Sequence, residues 1–235
     1  MLNRYIPFLL VLVTALTSCS TDDTPIINES NQPLLKSYKI SRDANGVYTV
    51  DYKLADGANG EFIKDVETNT NNFYAYEDAA ASATTKNANL NLSNKELKLG
   101  VFENDAQRRS ITVEDENIVL AKGVVSTNYL ETYSIEHLGS DEYVLDFTIR
   151  DGVNASFEYN ADENIFEVHL KEGKSNGTNF TKLYKKSPSL PLRIDFVNYI
   201  ANKVLASSDK NSSSKSTLYT VSYTKKNKPR VSVDL

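Results

Sequence analysis

The chain alternates apolar and polar residues over much of its length, and one such stretch occurs twice. Tyr48, Val50, Tyr52 and Leu54 alternate with Thr49, Asp51 and Lys53. A period of two sends the aromatic and aliphatic groups to one face of a strand and the polar groups to the other. Tyr38 and Ile40 carry the same pattern just before. Between the two segments stands Asp43-Ala44-Asn45-Gly46, where Asn-Gly supplies the positive φ of a tight hairpin. The stretch VYTVDYKLADGANGEF at 47–62 returns at 142–157 as EYVLDFTIRDGVNASF, an offset of 95 residues.

Aligned without gaps, 37–62 and 132–157 share eight identities in 26 positions. They are Tyr38/Tyr133, Ile40/Ile135, Tyr48/Tyr143, Asp51/Asp146, Asp56/Asp151, Gly57/Gly152, Asn59/Asn154 and Phe62/Phe157. The matches fall on the periodic positions, so the shared unit is a structural one. Past a short length difference, NNFYAY (71–76) aligns with ENIFEV (163–168). A third, partial copy is TVSYTKKNKPRVSVDL (220–235) laid over 37–52, matching at Val233/Val50 and Asp234/Asp51.

Further strands are expected at 61–66, 73–76, 90–92, 96–102, 156–159, 165–170 and 178–185. Each copy is then expected to end in a helix. In PLRIDFVNYIANKVLASS, Ile194, Val197, Ile200, Ala201, Val204 and Leu205 recur at helical spacing, and Pro191 suits a first turn, giving a helix over 191–206. In TVEDENIVLAKG (112–123), Thr112 and Asp115 form a capping box and Gly123 fits the position after the helix, although ITV and IVL also read as strands. The expected fold is mainly β with minor α (α+β): duplicated antiparallel meanders of four or five strands, each followed by a helix. The two copies cover 36–125 and 126–210, and a closing hairpin covers 211–235.

The first residues read differently. Arg4 precedes the apolar run Ile6–Leu16, which at 11 residues is right for a signal peptide and short for a spanning helix. Leu16-Thr17-Ser18-Cys19 follows. This resembles the lipobox of bacterial lipoproteins, an aliphatic residue and two small ones before the cysteine that receives the lipid. The resemblance covers these residues alone. It implies that 1–18 is a signal peptide and that Cys19 is the lipid attachment site and new N-terminus. Ser20 at the next position resembles the outer-membrane retention rule of enteric bacteria. Asp22-Asp23 is similar to the acidic export signals of some surface lipoproteins. Residues 19–35, polar and proline-containing, read as a tether. The expected location is the outer membrane, lipid-anchored, facing the periplasm or the cell surface.

Composition narrows the body. Cys19 is the single cysteine in 235 residues, so no internal disulfide is available. Without Arg4 the chain carries 25 basic against 31 acidic residues, a net charge of −6 that gives no support for nucleic-acid binding. Tyrosine is abundant at 14 and tryptophan absent. No nucleophile elbow, zinc-protease helix motif or phosphate loop occurs.

The candidates for chemistry are few. His137 and His169 are the two histidines, and no third ligand is recognisable by spacing. The repeated Asp-Gly-x-Asn at 56–59 and 151–154 could offer calcium oxygens, but it lacks the EF-hand spacing and reads as turn chemistry. Asp51 and Asp146 sit mid-strand on the polar face. Lysines cluster at 182–187 and 225–230, where they suit exposed turns and edge strands. No catalytic, cofactor or metal residue is assigned. The expected function is a non-enzymatic binding or structural module of the envelope, engaging the membrane through its lipid and another envelope protein or a glycan. The alternative is a carboxylate-dependent hydrolase, for example on glycans.

Overall fold

A computed structural model describes residues 33–90, 95–115, 129–205 and 219–234. These form fourteen strands and, among the described residues, no helix. The first seven are β1 (Leu35–Arg42), β2 (Tyr48–Leu54), β3 (Ala58–Asp65), β4 (Thr70–Glu77), β5 (Thr85–Leu90), β6 (Glu96–Glu103) and β7 (Ala106–Glu114). The second seven are β8 (Leu130–His137), β9 (Glu142–Ile149), β10 (Val153–Asn160), β11 (Ile165–Glu172), β12 (Asn179–Lys185), β13 (Leu192–Leu205) and β14 (Tyr219–Asp234).

They build two sheets. One has six strands in the order β12-β9-β8-β1-β2-β5, the other eight in the order β10-β11-β13-β14-β7-β6-β4-β3. The period-two pattern decides which side chains face inward: Tyr48, Val50, Tyr52 and Leu54 are all buried. The sheets pack face to face, because Tyr52 meets Phe73 at 4.5 Å and Phe147 meets Phe196 at 5.5 Å between ring centroids. Such aromatic pairs add about 0.5–1.5 kcal/mol beyond the apolar area they bury. One continuous core joins both sheets.

The duplication is complete at the level of topology. Each unit supplies three strands to the smaller sheet and four to the larger. The register repeats as well: Ile40 opposes Val50 as Ile135 opposes Leu145, and Phe62 opposes Phe73 as Phe157 opposes Val168. The parallel pair β4–β6 recurs as β11–β13. Even the register shift between Leu35 and Ser37 recurs between Leu130 and Thr132. The 95-residue offset runs on through β4 and β11 without a length difference, so Phe73 corresponds to Val168, and NNFYAY lies over FEVHLK rather than ENIFEV.

The two units meet along two seams. In the smaller sheet β1 pairs antiparallel with β8, and Ile40 faces Ile135, its own equivalent. In the larger sheet β7 pairs with β14, and Thr112 faces Ser232. These two are also equivalents, because Leu97 opposes Val113 as Leu192 opposes Val233. A local two-fold relationship therefore runs through both sheets. The final segment is the counterpart of β7, lengthened into a long hairpin with β13, and not a third copy of 37–52.

Both expected helices are corrected. Residues 192–205 are strand β13, held by β11 on one side and β14 on the other. The register shifts between Asp195 and Val197. The extra residue of that shift lies on β14, and β13 keeps its parity: Ile194 and Phe196 face the shared core while Val197 is buried on the opposite face, so apolar residues three apart imitate helical spacing. At the other site, 112–114 end β7 and Asp115 is buried rather than capping a helix. The rest of 112–123 lies outside the described residues. The fold is thus all-β and repeated, not α+β. Nor is each unit a simple meander. At Asp56-Gly57 and Asp151-Gly152 the chain leaves the smaller sheet and enters the larger.

Candidate functional site

Cys19 lies outside the described residues, as does the tether up to residue 32. The repeated Asp-Gly-x-Asn motifs are the corners just described. Gly57 and Gly152 take φ of 73° and 77°. The Asp56 carboxylate accepts a hydrogen bond from the Ala83 N–H at 3.1 Å, and the Asn59 carbonyl oxygen accepts from Lys86 Nζ at 3.0 Å. Asp151 accepts from the Gly152 N–H at 2.9 Å. Their oxygens serve local bonds and do not converge.

Asp51 and Asp146 do sit on the polar face of the smaller sheet, but on β2 and β9. Three strand spacings separate them, roughly 14 Å, beyond the ~5–9.5 Å of a glycosidase pair. The histidines also part company, His137 in the smaller sheet and His169 in the larger. His137 is buried, stacked on Tyr38 at 5.1 Å and beside Tyr143 at 5.0 Å. Burial, aided by the Arg109 guanidinium, depresses its pKa to about 4. Of the lysines at 182–187, Lys182 and Lys185 lie on edge strand β12 and Lys186 just beyond it. Lys182 stands over the Phe157 ring at 5.3 Å, while Lys186 is buried and donates to the Ser187 carbonyl at 3.1 Å. Those at 225–230 lie on β14, an interior strand of the larger sheet, where Lys228 pairs with Glu114.

What the outer face of the smaller sheet does form is a groove of about 480 Å³ across β1, β2, β8, β9 and β12. Its lining is rich in hydroxyls: Ser41, Thr49, Thr132, Ser134, Thr148 and Thr181. Period two places them there, since the inward positions of the same strands are taken by Ile40, Val50, Ile135 and Leu145. Thr132 and Thr148 share a hydrogen bond at 2.7 Å, and Thr181 donates to Asp146 at 2.6 Å. Lys39 lies 4.0 Å from Asp146, so the charged groups partly neutralise one another. Asp43 at the rim holds the β1–β2 loop by accepting from the Val47 N–H at 2.8 Å. Those backbone bonds lower its pKa.

Arg42 connects this groove to the interior. It lines the groove, yet its Nε donates to Asp115 at 2.7 Å, and both residues are buried. Tyr48 donates to the same carboxylate at 2.8 Å and meets the Tyr133 hydroxyl at 2.9 Å. Burial pushes both tyrosine hydroxyls well above their ordinary pKa. Sequence reasoning missed this cluster because Asp115 joins Arg42 from 73 residues away.

It also missed a second convergence. Glu158 on β10 and Glu167 and His169 on β11 bring their ligating atoms within 4.8 Å of one another. The signal was present in Glu167-x-His169, which puts both side chains on one face of a strand. The hairpin register then sets Glu158 opposite Glu167.

No family model, no curated protein and no solved structure matches this chain.

Proposed function

We propose that this chain is a lipid-tethered binding module of the bacterial outer membrane that takes a polar ligand, a glycan, on the open face of its six-stranded sheet. The observation that carries the reading is the hydroxyl-lined groove, with Ser, Thr and Asn179 groups spaced along five strands and a balanced Lys39–Asp146 pair. Such a surface exchanges hydrogen bonds with sugar hydroxyls along a length of several residues, and its openness suits a chain rather than an enclosed small molecule. The Leu16–Cys19 resemblance supplies the tether that keeps this face near the envelope.

Binding of envelope polysaccharide fractions to the full-length chain in detergent tests the reading. Ser134→Arg and Thr148→Arg, both on the groove floor, are expected to abolish binding while leaving the melting temperature close to wild type. Undiminished binding by both variants overturns it. Release of reducing ends during the assay, lost in Asp146→Asn, replaces the binding module with the hydrolase.

A further inference from the structure

The geometry points to a divalent transition-metal site, suited to Zn²⁺, formed by Glu158, Glu167 and His169 on the outer face of the eight-stranded sheet. His169 Nε2 lies 2.8 Å from Glu167 Oε2 and 3.4 Å from Glu158 Oε2. Neither approach has hydrogen-bond geometry, and Nε2 is a buried atom left without a hydrogen-bond partner. A plain histidine–carboxylate pair would turn an N–H toward the oxygen. A metal ion asks instead that three lone pairs converge. With Zn–N and Zn–O distances of about 2.0–2.1 Å, tetrahedral ligands stand about 3.3 Å apart, close to the spacing found here.

The surroundings are those of a prepared ligand. His169 Nδ1 is 2.8 Å from the Tyr199 hydroxyl, and the two rings stack at 5.5 Å. With Nδ1–H donating to that oxygen, the Nε2 lone pair is the one left facing the two carboxylates. This is how an outer partner fixes the tautomer of a metal-bound histidine. Glu167 is only 8% exposed, whereas Glu158 faces solvent, which leaves an open side for water or a further ligand. Arg230, whose charge Glu167 feels, is engaged elsewhere, donating twice to Asp195, both at 2.7 Å.

The repeat supplies an internal comparison. At the equivalent positions of the first unit stand Ile63, Asn72 and Tyr74. The same backbone there carries no ligand set, so the trio belongs to the second unit alone and is no by-product of the fold.

Calorimetric titration of the chelator-treated full-length chain in detergent with Zn²⁺ tests the site, with Co²⁺ as a spectroscopic probe. One equivalent is expected to bind, and Co²⁺ is expected to give the visible bands of a low-coordinate centre. His169→Ala and Glu167→Gln each remove that equivalent. Tyr199→Phe keeps the stoichiometry and weakens the affinity roughly 10- to 100-fold, as loss of an outer partner does. Glu158→Gln, at an exposed position that folding does not depend on, also weakens it and decides the matter if the buried variants fail to fold. Absence of a one-equivalent site, or a site indifferent to Glu158→Gln and to the folded His169 and Glu167 variants, overturns the proposal.

Discussion

The hydroxyls of Tyr48 and Tyr133 meet 2.9 Å apart in the core, on strands from different units. Their equivalents, Tyr143 and Tyr38, meet at 3.3 Å. Each contact spans the β1–β8 seam, and each is completed differently. Arg42 and Asp115 close the first, while His137, the equivalent of Arg42, stacks against the second.

The first filling is expected to be costly to break and cheap to replace. Removing one partner of a buried ion pair strands the other, a loss of about 3–5 kcal/mol. Asp115→Ala is therefore expected to destabilise by that order in urea denaturation, and Tyr133→Phe by about 1 kcal/mol. Arg42→Met combined with Asp115→Leu is expected to recover most of the loss. A double variant as unstable as Asp115→Ala would show that Arg42 is not the group left stranded.

The second filling makes stability depend on pH. The folded pKa of His137 is about 4 against an ordinary 6.5, so the unfolded chain takes up its proton first as pH falls. The contribution is full above pH 6.5 and drains away between 6.5 and 4. Each unit of depression corresponds to about 1.4 kcal/mol, so the drain is at most about 3.5 kcal/mol and smaller once solvent screening is counted. His137→Phe keeps an aromatic ring between Tyr38 and Tyr143. Its stability curve is expected to lie flatter than wild type across that window, and parallel curves would exclude His137 as the titrating group.

Two nearby glycines are expected to fail for opposite reasons. A Cβ at Gly57 meets nothing within 4 Å, but φ is +73°, so Gly57→Ala costs backbone strain of about 1 kcal/mol. Gly57→Asn costs less, because asparagine tolerates that region. At Gly60 a Cβ lies 2.7 Å from Phe73 Cζ, so Gly60→Ala overpacks the core by about 1–3 kcal/mol. Phe73→Leu is expected to rescue Gly60→Ala and not Gly57→Ala, as read by melting temperature.

Cys19→Ala is expected to abolish incorporation of a fatty-acid probe and to shift the chain from the membrane to the water-soluble fraction, with the body still folded. Equal labelling of wild type and variant would remove the lipoprotein reading and the tether with it.

The strands and their doubling were legible because burial has a period of two and the corners need Asp-Gly. Tyr48 and Tyr143, or Gly57 and Gly152, announce themselves by type and spacing. Strand β13 did not, because Val197 is buried on the face opposite Ile194, and apolar residues on both faces write a helical spacing into a strand. Asp115 reads locally as a cap, and its partner Arg42 is reached only through the pairing of β1 with β8 and the packing of the two sheets. The groove and the Glu158–Glu167–His169 cluster were hidden for the same reason. Their members come together through register, a property of pairs of strands that a single segment does not carry.

The two seams have a further consequence. Were the halves separate chains joined by the same seams, every substitution would appear twice, and any change near the axis would meet itself. Joined in one polypeptide, they associate at the high effective concentration of tethered partners, and each is free to change alone. His137 could diverge from Arg42, and a histidine with two glutamates could arise where the other half keeps tyrosine, asparagine and isoleucine. Covalent fusion turns a symmetric scaffold into one on which a single copy can specialise.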